Sequence, residues 1–314
     1  MRTPACPYGE VLFLKLLYLL EQLRTPQLDT VMYTVTQLGG VLVFVVLTLA
    51  VFWCVDRRCG LFLMAAGLAG TLIGQALKLL LHIPRPWVRD PGFSIVARAR
   101  AGAGGFSCPS GHSINAAVTY GGLAYWTRRR WLRFVFVLLM LLVAFSRMYL
   151  GVHTPVDVGA GLLVGGAAVL ACKPLFSRCG DQPATQRAAL CALLALTAAG
   201  VLYVTLWPWD AAVQGENLTG GVKNVWLLFG AAAGLLLASL GRGGIRFSTE
   251  APLWGQALKL VLGLLLVGAV QELLRAVAGA AGMADGPAHA LRALGAVWFA
   301  AGIWPRTFPR FSRK

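Results

Sequence analysis

Three short segments hold the side chains best suited to phosphate chemistry: KLLLHIPRP at 78–86, CPSGHS at 108–113 and SRMYLGVHTPVD at 146–157. Lys78, Arg85 and Arg147 stand beside long apolar runs. On insertion scales a Lys, Arg or Asp at membrane depth costs at least about 2.5–3.5 kcal/mol, so such residues need a compensating partner. Taken singly, each reads as a basic side chain snorkelling from a helix end. Taken together, three cations able to converge on one face match a phosphate: arginine offers planar paired donors, and lysine a compact point charge. Pro84 and Pro86 break the preceding helix and restrict the chain around Arg85.

The PSGH segment directly precedes an apolar run, which places Ser110, Gly111 and His112 at a helix N-terminus. Free backbone N–H groups and the helix dipole favour an anion there. The hydroxyl and N–H of Ser110, with the N–H groups of Gly111 and His112, are expected to complete a phosphate cradle. His153 and Asp157 are four residues apart at the start of the next apolar run, one turn apart on one helical face. The carboxylate can hold the imidazole Nδ1–H, which leaves Nε2 free and stabilises a developing imidazolium.

The elements that position these residues must be membrane helices. Of the 314 residues, 58% are hydrophobic and 13% charged, and the mean hydropathy is +0.70, outside the range of ordinary soluble domains. Apolar runs fall at 38–55, 60–81, 112–127, 131–149, 154–172, 187–207, 224–240, 256–274 and 287–304. A bilayer core needs about 20 apolar residues per helical crossing, so the runs predict an all-α polytopic bundle of about nine transmembrane helices. Near the N-terminus, VLFLKLLYLL is interrupted by Lys15 and lacks a small-residue cleavage site, so residues 9–24 read as an amphipathic interfacial helix. The expected organisation is a lead-in over 1–37, a core of about five crossings over 38–172 and an extension of about four over 173–314.

The net charge of +16 sits in clusters between apolar runs, which argues against a nucleic-acid partner and for orientation signals. Arg57 and Arg58, Arg128–Arg130 with Arg133, Lys173 with Arg178 and Arg187, Arg242 with Arg246, and the tail RTFPRFSRK fall on alternate connections, expected to be cytoplasmic. The 82–111 loop then lies on the opposite side, yet carries Arg85, Arg89, Arg98 and Arg100. That excess points to function. The seven cysteines show no paired metal spacing, and neither a disulfide framework nor a metal site is expected.

The ordered blocks, Lys followed after six residues by Arg-Pro, then Pro-Ser-Gly-His, then Ser-Arg, five residues, His, three residues and Asp, resemble the type 2 phosphatidic acid phosphatase superfamily over roughly residues 9–172. The resemblance implies a cofactor-free and metal-independent phosphatase of a lipid phosphate or diphosphate. It implies that His153 attacks phosphorus to form a phosphohistidine and that His112 protonates the leaving oxygen, with Asp157 orienting His153. Lys78, Arg85, Ser110, Gly111 and Arg147 would bind the phosphate. The site would face the non-cytoplasmic side of a membrane, most naturally the cell membrane. Homo-oligomerisation stays open, as does the substrate. The alternatives are a soluble sugar phosphate, since glucose-6-phosphatase is a relative with about nine crossings, and a transporter or head-group binder without turnover. A pure binder has no evident need for His112, His153 and Asp157.

Elsewhere, His82 reads as structural, Cys108 as a small neighbour, and Glu272 with Arg275 as a helical pair. The segments GAGLLVGG at 159–166 and GAAAG at 230–234 are close-packing signals.

Overall fold

The computed structural model describes residues 7–178, 182–209, 215–241 and 244–311. Arg242, part of the 208–223 loop and residues 312–314 of the basic tail lie outside these. The described chain is helical without strands. It begins with α1 (Pro7–Gln22), α2 (Pro26–Gln37) and α3 (Val41–Ala50), which a π-helical turn over Val51–Val55 extends; the chain then breaks at the extended Asp56 and enters α4 (Arg57–Leu81). Two short helices, α5 (Pro86–Arg89) and α6 (Ala97–Arg100), interrupt the following loop. Then come α7 (Gly111–Ala116), a π-helical segment (Ala117–Gly121), α8 (Gly122–Trp126), α9 (Arg130–Tyr149) and α10 (Pro155–Arg178). The last third contains α11 (Pro183–Leu206), α12 (Glu216–Ser239), α13 (Leu253–Ala280) and α14 (Asp285–Trp298). A π-helical segment (Phe299–Ile303) and a 3₁₀ helix (Trp304–Arg310) close it.

Among the described residues, 6 helices are long and apolar enough to cross a membrane, or 7 if α2 and α3 with its π turn, bent by 49°, form one span. This makes the chain a multi-pass membrane protein. The expected runs at 112–127 and 287–304 are helical but interrupted by π-helical segments, so neither forms one long regular helix.

Capping defines the starts of the site-bearing helices. The Asp56 carboxylate accepts from the N–H groups of Arg58 and Cys59 at 2.8 and 3.3 Å and also from Trp126 Nε1 at 3.0 Å, which joins the start of α4 to the end of α8. At α10, Thr154 and Asp157 cap each other. The Thr154 N–H donates to Asp157 Oδ2 at 2.7 Å, and the Asp157 N–H donates to Thr154 Oγ1 at 3.3 Å.

The C-terminal third shares its core with the first part of the chain. Phe52, Trp53 and Phe62 are buried in one cluster with Leu190, Ala232, Trp304 and Phe308. Trp53 Nε1 donates to the Ala300 carbonyl at 2.9 Å, and Trp304 Nε1 to the Lys259 carbonyl at 3.0 Å. Both indoles are buried with their polar atoms satisfied, the condition under which tryptophan stabilises an interior.

Both small-residue segments act through two glycines each. In α10, a Cβ at Gly161 would lie 2.6 Å from the Ser110 carbonyl oxygen and 2.8 Å from Ser113 Cβ, and one at Gly165 would lie 2.7 Å from the Ile114 carbonyl oxygen. In α12, Gly230 and Gly234 abut the α14 backbone at Ala290 and Leu294. Gly159 and Gly166 meet nothing, so helix phase selects which glycines matter. Gly161→Ala is therefore expected to cost about 1–3 kcal/mol of overpacking and to displace the 110–113 turn. Phosphate release should fall at least tenfold, with a lowered Tm in detergent. Unchanged release would show that the turn does not depend on this contact.

Candidate functional site

The loops between the helices bring the three sequence segments to one end of the bundle. Lys78 is in the last turn of α4, Arg85 caps α5, Ser110 caps α7, Arg147 is in the last turn of α9, and Asp157 is in the first turn of α10. Backbone hydrogen bonds pin the segments to one another: the Ser107 N–H donates to the Ile83 carbonyl at 2.8 Å, and the Ser110 N–H to the Asp157 carbonyl at 2.9 Å. Lys78, Arg85, Gly111, His112, Arg147 and His153 line one cavity of about 600 Å³.

His153 is 1% exposed. Its Nε2 lies 2.9 Å from Arg85 Nη1, and since a guanidinium only donates, Nε2 carries the lone pair and Nδ1 the proton. On the other side, Nδ1 is 3.6 Å from Asp157 Oδ2 and 3.5 Å from Ser107 Oγ. Burial, reinforced by the Arg85 guanidinium, holds the imidazole well below its ordinary pKa, so it is neutral at physiological pH. The Asp157 carboxylate is itself buried and accepts from Ser107 Oγ at 2.6 Å and from the Thr154 N–H. Ser107 and Thr154, absent from the expected site, hold the carboxylate that faces His153. For Thr154 the signal lay in TPVD, a capping-box pattern. Ser107 carried no local signal.

The three cations are not equivalent. Arg85 donates Nε to the Gly105 carbonyl at 3.0 Å, Nη2 to the Gly104 carbonyl at 2.8 Å and Nη1 to the Val152 carbonyl at 2.9 Å, besides its contact with His153. Four of its five donors hold the loops and the imidazole. Arg147, 2% exposed, donates Nη1 to Thr36 Oγ1 at 2.9 Å, while its Nε and Nη2 are buried without a partner. Lys78 is half-buried and lines the cavity. His112 and Gly111 also line it, as the first residues of the α7 helix.

Ser110 differs from its expected role. It is fully buried and does not line the cavity; its N–H bonds the Asp157 carbonyl, and its Oγ accepts from the Ser113 N–H at 3.4 Å. The Ser110 amide is thus engaged in fixing α7 to α10 and cannot join a phosphate cradle. His82 caps α4 with φ 51° and packs its ring on Phe106 at 5.3 Å. Arg98 and Arg100 are exposed and do not line the cavity, and Cys108 is buried. Glu272 and Arg275 pair at 3.5 Å on the exposed face of α13.

The multi-pass helical bundle thus collects cations, two imidazoles and a carboxylate at one end, groups whose chemistry suits a phosphate. Residues 59–181 match the family model of the PAP2 superfamily. Phosphatidylglycerophosphatase B of Bacillus subtilis is 29% identical over 158 residues, 46% of this chain and 72% of that protein. Undecaprenyl-diphosphatase BcrC of the same organism is 30% identical over 141 residues, 44% of this chain and 69% of its own. Lipid A 4'-phosphatase of Bacteroides thetaiotaomicron is 40% identical over 63 residues, 20% of this chain and 28% of that protein. No solved structure matches the chain. The chain belongs to the PAP2 superfamily. It is a membrane hydrolase of the lipid phosphatase class.

Proposed function

We propose that the chain hydrolyses a lipid phosphate or diphosphate at the non-cytoplasmic face of the cell membrane, without a metal, through a phosphohistidine at His153. The observation that carries this is Arg147: a fully buried guanidinium with Nε and Nη2 unpartnered, lining the same cavity as the His153 imidazole. A buried cation without a counter-charge is costly, and a phosphate supplies the missing acceptors. Substrate phosphate would draw Arg85 Nη1 away from His153 Nε2 and free that lone pair. Nε2 then attacks phosphorus, the P–O ester bond breaks, and His112 protonates the leaving oxygen. His112 next takes a proton from water, which attacks the phosphohistidine and releases inorganic phosphate. Asp157 stabilises the imidazolium that forms at His153, while Lys78 and Arg147 stabilise the equatorial oxygens, with the N–H groups of Gly111 and His112.

The relatives support a lipid-borne phosphate, since their names specify phosphatidylglycerophosphatase, undecaprenyl-diphosphatase and lipid A 4'-phosphatase activities. Residues 38–172 then act as the phosphatase core, 1–37 as its interfacial lead-in and 173–314 as an extension. Residues 111–126 and 285–303, added to the bent pair and the six long helices, would bring the crossings to the expected nine. The positive clusters, with Arg57, Arg58 and Arg128–Arg130 on one side, orient the site outward.

The test is phosphate release by purified protein over a panel of lipid and soluble phosphates with EDTA present. EDTA-resistant release from a lipid is the expected outcome. Preferential release from a sugar phosphate would move the substrate class, and tight phosphate binding without release from any member would replace hydrolysis with transport or binding.

A further inference from the structure

The cavity that contains His153 and Arg147 runs away from the catalytic end along one face of α4. Lys78, Gln75, Thr71, Leu68 and Met64 line it, the repeat of a single helical stripe. From Lys78 to Met64 that stripe spans about 21 Å at the rise of an α-helix. One leaflet of a bilayer core is about 15 Å deep, half of its thickness. The cavity is therefore deep enough for a whole lipid chain.

Its second wall comes from the C-terminal third. Helix α12 runs antiparallel to α4, and a Cβ at Gly221 would lie 3.1 Å from Leu79 Cδ1. The α12 lining therefore begins near the level of Lys78, with Lys223 and Asn224, and reaches the level of Met64 with Leu235. Helix α14 lies parallel to α12, with Gly230 against Ala290 and Gly234 against Leu294. Ala290 is thus about 13 Å below the level of Gly221 and Leu79, and α14 meets the cavity at mid-depth and beyond. Arg292, which lines it there, brings its own counter-charge: Glu272 Oε1 lies 4.0 Å from its Nη2.

The lining changes character with depth. Past Asn224 every α12 side chain on the cavity, from Leu227 to Leu235, is aliphatic, as is every α14 side chain from Ala293 to Ala301. The far end is closed. Leu49, Leu235 and Ala300 line it and are buried. Beside them Trp53 Nε1 holds the Ala300 carbonyl, and Gly263 of α13 abuts both Trp53 and Trp304. On α3 the Thr48 hydroxyl is buried in the cavity wall without a partner. A hydroxyl by itself cannot supply the roughly two to four hydrogen bonds that hold a buried water, whereas a hydrocarbon chain needs none. Such a chain leaves a bilayer as apolar as these walls, so the walls add little affinity and act through fit.

We propose that the C-terminal third completes a chamber for one hydrocarbon chain of the lipid whose phosphate reaches His153, and that Ala231 on α12 and Ala296 on α14 keep its deep part open. The inference rests on the phosphatase reading of that site and deepens it: the substrate class is a lipid phosphate with a long chain, and the extension measures that chain.

The test compares wild type with Ala231→Phe and Ala296→Phe, each alone, on dioleoyl and dioctanoyl phosphatidic acid in mixed micelles. The readout is kcat/KM for the long lipid relative to the short one. The head group is the same in both, so differences in folded fraction and in phosphate chemistry cancel. A phenyl ring in the deep part should lower this ratio by at least about tenfold in one variant or both, since a single methylene that a pocket cannot accommodate already costs about that factor. A smaller fall in both variants overturns the proposal. A labelling arm in the His153→Ala background uses a phosphatidic acid with a diazirine at the chain end. Its adducts should map around Met64, Leu235 and Ala300, and excess dioleoyl phosphatidic acid should displace them while dioleoyl phosphatidylcholine does not. If wild type hydrolyses neither lipid but the adducts form as stated, the hydrolytic reading fails while the chamber stands. Adducts elsewhere, or displaced equally by phosphatidylcholine, overturn the chamber itself.

Discussion

Phosphate release by the His153→Ala protein is expected to fall by about 10⁴–10⁶-fold, the range seen when an enzyme loses its covalent nucleophile. The imidazole is held so that nothing else can replace it. It is 1% exposed, its Nε2 faces the cavity end at Arg85, and its Nδ1 side is closed by Asp157 and Ser107. A serine or water placed there would lack both the nitrogen lone pair and the carboxylate behind it. The same variant should fail to take up acid-labile, base-stable label from a ³²P-labelled substrate. His112→Ala should behave differently. It should still form the labelled enzyme with p-nitrophenyl phosphate, whose leaving group needs no protonation, and should then lose the label slowly. Substantial turnover by His153→Ala, or equal labelling of both variants, would rule out His153 as the attacking group.

Arg147→Met should separate activity from stability. The substitution removes a buried guanidinium with two unpartnered nitrogens and replaces it with an apolar, unbranched chain that fills the space of the arginine stem. An unsatisfied buried polar group costs about 1–3 kcal/mol, and more when charged, so the variant is expected to melt higher than wild type without ligand. The lost hydrogen bond from Nη1 to Thr36 offsets part of that gain. Catalysis should respond in the opposite sense. Removing the donor that meets transition-state charge is expected to lower kcat/KM by at least about 10²–10³-fold. Arg147→Lys should not restore it, since a single ammonium cannot reproduce the planar fork. Orthovanadate, which mimics the trigonal transition state, should raise the wild-type Tm, with about 2.7 kcal/mol of stabilisation at 100 times its Kd. The Arg147→Met protein should show no such rise. A variant less stable than wild type and still stabilised by vanadate would make Arg147 a structural residue.

Much of the chemistry was legible because it is local. The four-residue separation of His153 from Asp157 brought the pair together as expected, at 3.6 Å, but not on one helical face: α10 begins at Pro155, so His153 lies in the turn before it and meets the carboxylate across the helix start. Apolar runs and charge clusters likewise identified a multi-pass membrane chain, because bilayer thickness acts directly on sequence. The crossing count was harder to read. The runs at 112–127 and 287–304 look like the others in hydropathy, yet both are broken by π-helical segments.

The candidate phosphate-handling residues, their order and the helical membrane setting were therefore legible in the sequence alone, through spacing and composition. Their division of labour was decided only by the tertiary structure. Arg85 and Arg147 are the same residue type in similar motifs, but the carbonyls of Gly104, Gly105 and Val152 engage one, and the other keeps Nε and Nη2 unpartnered. The Ser110 amide looked available until the Asp157 carbonyl, 47 positions along the chain, proved to accept it. Ser107 joined the site through contacts with residues 153 and 157. The extension, which carried no motif, closes one side of the cavity because Gly230 and Gly234 let α14 approach α12. Spacing along one helix constrains which side chains share a face, whereas the pairing of donors with acceptors far apart in the chain depends on how the helices pack, and no local pattern encodes that.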